Sequence, residues 1–252
     1  MERVTLYWQP GCTSCLRTKE FLKASGVDFI SVNVHDDAEG MEALHRMGPR
    51  TVPVVARGDR FVFAQVLDDV ATFLGIAHNS NRLSPAALVS RLDGVLSAAE
   101  RYLRQLPDDR LETLLPRRKR TYRELGYHIF RIPAAFLEVT EGIAFSAASA
   151  NLLPPAEIRT VADIVGYGVG VHRGLSTWWV GTDDRECRRE VETYYGLKPL
   201  HLVLERTAWH SAQHTRQLMM VLGLLDIEPD RPLAAADLAG LPLPENVWDP
   251  AE

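Results

Sequence analysis

The stretch "YWQPGCTSCLRTKEFL", residues 7–22, decides how the N-terminal part of the chain is read. Two cysteines stand two residues apart, behind a Pro-Gly turn and ahead of a helix-like run. A cysteine at the start of a helix has its sulfur facing unpaired backbone N–H groups and the positive end of the helix dipole. That favours thiolate over thiol and brings a cysteine pKa from ~8.5 toward ~3.5–7.5. The second cysteine lies one turn further in, near enough to close a disulfide. This makes Cys12 the nucleophile and Cys15 the resolving, less exposed thiol. Two other readings compete: half of a zinc site, or two inert buried thiols. A zinc site needs two more ligands at suitable spacing, and no second Cys-x-x-Cys follows.

Outward from this stretch, residues 1–77 alternate strand and helix patterns. "RVTLYW" (3–8) is β-rich, and "SCLRTKEFLKASG" (14–26) is helical with Gly26 as a C-cap. "DFISVNV" (28–34) reads as a strand and "DAEGMEALHRMG" (37–48) as a short helix. "TVPVVARGDRFVFA" (51–64) reads as two strands around a Gly-Asp turn, and "LDDVATFLG" (67–75) as a helix. The order β-α-β-α-β-β-α suits a small two-layer α/β unit.

With "YWQPGCTSC" after a strand and "TVP" 36 residues beyond Cys15, this region resembles the glutaredoxin and thioredoxin-like family. The resemblance implies a thioredoxin fold and thiol–disulfide chemistry. It also implies a cis Pro53 lining the site. The backbone at Thr51 and Val52 would then pair with the peptide part of a thiol such as glutathione. Two departures stand out. Gln9 occupies a place where the family often has Lys, and "VFAQVLDD" replaces its Gly-Gly element.

"IAHNSNRLSP" (76–85) is a polar breaker segment, and helical periodicity follows it. Helices are expected at 85–106, with Ser84 as N-cap and Pro85 at the first position, and at 121–142, opened by the capping box "TYRE". Two more are expected at 157–180 and 199–224. Four long amphipathic helices over 84–225 argue for an antiparallel four-helix bundle, so the fold class is α/β plus all-α. Residues 226–252 form a Pro-rich tail, read as a strap.

His210 and His214 stand four apart on the last helix, so both rings project from one face. Two imidazoles are too few for a metal centre, and His128, in "ELGYHIFRI", is the best third candidate. Three histidines with open positions describe a reactive metal site rather than a closed structural one. His172 is read as a polar core or surface residue rather than a fourth ligand. His201 lies nine residues before His210 and cannot join the same centre. Cys187, in "DDRECRRE", reads as a free thiol on an exposed loop, and "RRKR" (117–120) as a solvated one.

"RELGYHIFRI" together with "WHSAQHTRQL" resembles the DinB/YfiT superfamily of metal-binding four-helix bundles. Carried over, that resemblance makes His128, His210 and His214 the ligands of a divalent metal, zinc first, with nickel, iron or manganese as alternatives. Branches of the superfamily are isomerases or S-transferases that use low-molecular-weight thiols. The expected function is thus metal-assisted transfer of a thiol, glutathione first, to an electrophile, with dithiol chemistry at Cys12 and Cys15. Arg216 is a candidate for holding the thiol's carboxylate, and Trp178 and Trp179 for walling an electrophile pocket. The competing reading is a redox- or metal-sensing stress protein without turnover.

Composition sets outer bounds. A hydrophobic content of 46% and a charged content of 24% are ordinary for a globular protein. A net charge of −5 and a pI near 5.9 argue against non-specific nucleic-acid binding. No apolar stretch reaches the ~20 residues that span a bilayer. "MERVTLYW" lacks a charged leader with an apolar h-region, so a cytoplasmic, reducing compartment is expected. The expected partners are a small thiol and an electrophile or mixed disulfide, with the helical bundle as the surface for any homodimer.

Overall fold

The computed structural model describes residues 2–249. Arg82–Leu243 forms one compact unit, and the described residues before it, together with 244–249, form another. The stretch expected as one Pro-rich tail is therefore shared between the two, and its last three residues lie outside the described residues.

The first unit runs β1 (Val4–Trp8), α1 (Thr13–Ala24), β2 (Phe29–Asn33), α2 (Ala38–Met47), β3 (Val54–Arg57), β4 (Arg60–Phe63) and α3 (Leu67–Leu74). The sheet order is β2-β1-β3-β4, with β1 parallel to β2 and the other pairs antiparallel. Side chains alternate across a strand, and both faces here are apolar. Val4, Leu6, Trp8 and Val55 pack with Cys15 and Leu22 of α1 and Val70 and Leu74 of α3. Tyr7, Val54 and Ala56 face the other way, onto Leu44 of α2. Helices therefore cover both faces, and the expected two layers are corrected to three. Near-continuous apolar runs such as "VPVVA" mark strands buried on both sides. The β3–β4 turn needs Gly58, whose φ is +61°.

The second unit contains α4 (Pro85–Gln105), a 3-10 turn (Asp108–Arg110), α5 (Tyr122–Thr140), the short α6 (Ala147–Ala150), α7 (Val161–Gly181), the hairpin β5 (Glu190–Thr193) and β6 (Gly196–Pro199), and α8 (Leu200–Leu224). The long helices pack in a ring: α4 against α7 and α8, and α5 against the same two. Local chemistry sets their starts. The Ser84 hydroxyl accepts the Ala87 N–H at 3.3 Å, with Pro85 behind it. Thr121 and Glu124 form the expected capping box on α5. A second box, Thr160 with Asp163, starts α7 at residue 161 rather than 157. The hairpin at 190–199 is not expected from periodicity.

On α7, Gly168 allows close approach to α5, because a Cβ there would lie 2.6 Å from the Phe130 ring. Residues 226–243 run back over α4: Tyr102 donates its hydroxyl proton to the Arg231 carbonyl at 3.1 Å and accepts from Leu233 N at 2.8 Å. Among the described residues no helix is long and apolar enough to cross a membrane.

Candidate functional site

The dithiol pair sits where β1 hands over to α1. Cys12 is the N-cap of α1, and its sulfur accepts the Cys15 N–H at 3.2 Å. The two cysteines are disulfide-bonded, with Cα atoms 5.2 Å apart. Cys12 is half-buried, whereas Cys15 is 1% exposed and belongs to the core under the sheet. Tyr7 pairs with Val54, so the next step of that antiparallel register sets Pro53 level with Trp8, at the strand end from which the cysteine loop leaves. The Val52–Pro53 peptide is cis. Thr51 and Val52 are half-buried, and Val52 packs on both core clusters.

Two residues at this site carry no local sequence signal. Gln65, just past β4, accepts the Ser14 hydroxyl on its side-chain oxygen at 3.2 Å and the Arg17 guanidinium on its backbone carbonyl at 2.7 Å. It ties the first turn of α1 to the end of the sheet. Asp249 accepts the Gly11 N–H at 2.6 Å and is itself buried.

The second constellation lies in the helical unit. α5 carries His128, and α8 carries His210 and His214. All three are buried, and each offers a ring nitrogen within 4.8 Å of those of the other two. Ring centroids are 4.8 Å apart for His128 and His214, 4.9 Å for His210 and His214, and 5.7 Å for His128 and His210. Burial, followed by the field of Arg120, holds His128 and His214 well below the ordinary imidazole range. Neutral imidazoles are the form that binds metal. His214 Nδ1 lies 2.7 Å from the Gln217 side-chain oxygen, which can only accept. Nδ1 therefore carries the proton, and Nε2 keeps its lone pair for a ligand. The three ring nitrogens are near enough to one another to serve as ligands of one divalent cation.

Comparison with known proteins bears on the dithiol unit. The glutaredoxin family model matches residues 4–62. The glutaredoxin-like protein NrdH of Escherichia coli is 40% identical over 57 residues, spanning 23% of this chain and 70% of that protein. An uncharacterized glutaredoxin-like protein from the rubredoxin operon of Clostridium pasteurianum is 38% identical over 53 residues, spanning 21% of this chain and 71% of the relative. The chain belongs to the glutaredoxin family. Among solved structures, a mutant of the thioredoxin-like protein BC3987 is 27% identical, with a TM-score of 0.29, and covers 31% of this chain and all of that one. The glutaredoxin match ends before the helical unit begins.

Outside the glutaredoxin unit, two loop readings are corrected. Cys187 is free but fully buried, and burial pushes its thiol up to about 12, so the expected exposed-loop thiol is corrected. "RRKR" is only partly solvated, because Arg118 and Arg120 are half-buried and burial brings Arg120 down to about 9. Arg216 donates to the Gln213 side-chain oxygen at 2.6 Å. Trp178 packs edge-on against Phe136, and the Arg185 guanidinium lies over Trp179. His201 Nε2 meets the Leu83 carbonyl at 2.9 Å. His172 stands between Asp93 at 2.8 Å and Glu100 at 3.0 Å, an ion-pair site joining α7 to α4.

Proposed function

We propose that the glutaredoxin unit is a thiol–disulfide oxidoreductase in which Cys12 attacks and Cys15 resolves. The observation that carries this is the Cys12 sulfur at the head of α1, accepting the Cys15 N–H and already paired with Cys15. An anion at that position gains from the N–H groups and the helix dipole. In the forward direction the Cys12 thiolate attacks one sulfur of a substrate disulfide and expels the other half as a thiol. The Cys15 thiol then gives up its proton and attacks the Cys12 sulfur. The second half leaves, and the protein keeps the disulfide. Two electrons pass from protein to substrate. The backbone at Thr51 and Val52, beside Pro53, is the proposed seat of the substrate's peptide part, with a glutathione mixed disulfide as the first candidate.

For the helical unit the proposal is an antiparallel four-helix bundle of the DinB/YfiT type, holding a divalent metal on His128, His210 and His214. The support is three buried imidazoles converging from two helices, with His128 and His214 held neutral. A metal there would lower the pKa of a bound small thiol or water and make the anion available at neutral pH. The proposed activity is transfer of a low-molecular-weight thiol to an electrophile. Within it, Gln217 fixes the His214 tautomer, and Arg216 is the proposed partner for a carboxylate of the thiol.

The experiment pairs metal analysis of the purified chain with two assays. One is reduction of a glutathione mixed disulfide, compared with Cys12→Ser. The other is turnover of glutathione with a chlorinated aromatic or an epoxide, compared with His210→Ala. Metal uptake without turnover in the second assay would favour sensing over transfer.

A further inference from the structure

The segment from Pro244 to Asp249 is fastened to α1 of its own unit. Glu245 N and Asn246 N donate to the two carboxylate oxygens of Glu20 at 2.7 and 3.1 Å, and the Asn246 side-chain amide adds a third bond at 2.8 Å. Three residues on, Asp249 is 6% exposed and accepts the N–H of Gly11 at 2.6 Å. Gly11 is the residue directly before Cys12. A carboxylate thus occupies a backbone donor at the mouth of the redox helix, close to where the thiolate would form. Asp249 comes 238 residues after Gly11, so local chain geometry does not account for the contact.

We infer that segment 244–249 is a redox-linked strap, docked by Asp249 when Cys12 and Cys15 are oxidised and loosened when they are reduced. This rests on the redox reading above. In the disulfide neither sulfur carries charge, so no thiolate opposes the carboxylate on Gly11. Reduction by a dithiol runs as follows. One reductant thiolate attacks a sulfur of the Cys12–Cys15 bond, that bond breaks, and the reductant closes its own disulfide. Cys12 is left as thiolate, Cys15 takes a proton, and the other proton goes to solvent. Two negative charges then stand at adjacent residues of one loop, Asp249 on the Gly11 N–H and the Cys12 sulfur on the Cys15 N–H, in a half-buried site where screening is weak. Linkage makes the effect reciprocal: if reduction loosens the strap, a docked strap resists reduction. Asp249 acts here as a positioning residue on the dithiol equilibrium.

The test uses the full chain in dithiothreitol redox buffers at fixed pH. The dithiol fraction is read by thiol trapping, and the strap by amide hydrogen exchange over 244–249. In the native chain, exchange at Glu245 and Asn246 should accelerate on reduction. In Asp249→Asn the disulfide–dithiol equilibrium constant should move about tenfold toward dithiol, which is roughly 30 mV less negative for a two-electron couple. Glu20→Ala, which frees the other end, should expose the strap in both states and move the constant in the same direction. An equilibrium constant within twofold of native in Asp249→Asn, or equal strap exchange in the two redox states of the native chain, overturns the inference. A native pair that dithiothreitol leaves oxidised overturns the redox reading, and the strap's linkage with it.

Discussion

Two glycines on α7, two residues apart, should respond to alanine with opposite signs. Gly170 is exposed, and nothing lies within 4 Å of where a methyl group would stand, so Gly170→Ala adds only helix propensity, about 1 kcal/mol of stability. Gly168 is buried, and the same methyl would lie 2.6–2.8 Å from three atoms of the Phe130 ring. Phe130 is 0% exposed, so its ring cannot swing out to solvent. Overpacking of this kind costs about 1–3 kcal/mol, set against the same propensity gain of about 1. The pair should therefore differ by about 2 kcal/mol, which for a unit of this size is about 4–8 °C in Tm. Urea denaturation followed by helical circular dichroism measures both variants against the native chain. If Gly168→Ala stabilises as much as Gly170→Ala, the close packing of α5 on α7 is refuted.

Other outcomes follow from the two sites. Cys12→Ser should lower mixed-disulfide reduction roughly a hundredfold or more, since a serine hydroxyl is a far weaker nucleophile than a thiol near neutral pH; retained activity removes Cys12 as the nucleophile. On the proposed metal site, His210→Ala should abolish metal uptake by the purified chain, and Gln217→Ala should weaken it about 10–100-fold by releasing the His214 tautomer; equilibrium dialysis reads both. For His172, burial lowers the pKa, but bonds and charges from Asp93 and Glu100 outweigh it and raise the folded value above 6.5. Its contribution to stability is therefore full below 6.5 and fades as pH rises through the folded value. Asp93 is 61% exposed, so the contribution is screened to about 0.5–1 kcal/mol. The stability gap between the native chain and His172→Ala should shrink as pH rises above 6.5 and through the folded value, and a gap that widens refutes the pairing.

Most secondary structure was legible because its causes are local. Ser84-Pro85 and the Thr121–Glu124 box mark helix starts within four residues, and the order of strands and helices in the first unit follows from alternation and punctuation alone. The places that misled reading are those where tertiary burial overrides local polarity. Cys187 is flanked on both sides by charged residues, in "DDRECRRE", and is nevertheless 0% exposed. Its carbonyl accepts the His201 N–H at 2.8 Å, which folds the loop onto the start of α8. Arg118 and Arg120 look like loop charges until α5 begins beside them. The 190–199 hairpin has too few residues for a two-residue period to stand out.

The dithiol motif at a strand–helix junction and the spacing that puts His210 and His214 on one face of α8 are readable from the chain alone. Both are properties of short segments, where backbone period and capping chemistry dictate side-chain direction. Which distant groups meet them depends on how the elements pack. His128 approaches from α5, 82 residues before His210. Asp249 reaches Gly11 from 238 residues away, and Asp93 and Glu100 close on His172 across the α4–α7 contact. Such contacts arise when buried apolar faces bring whole helices and strands together, so no local pattern in the chain announces them.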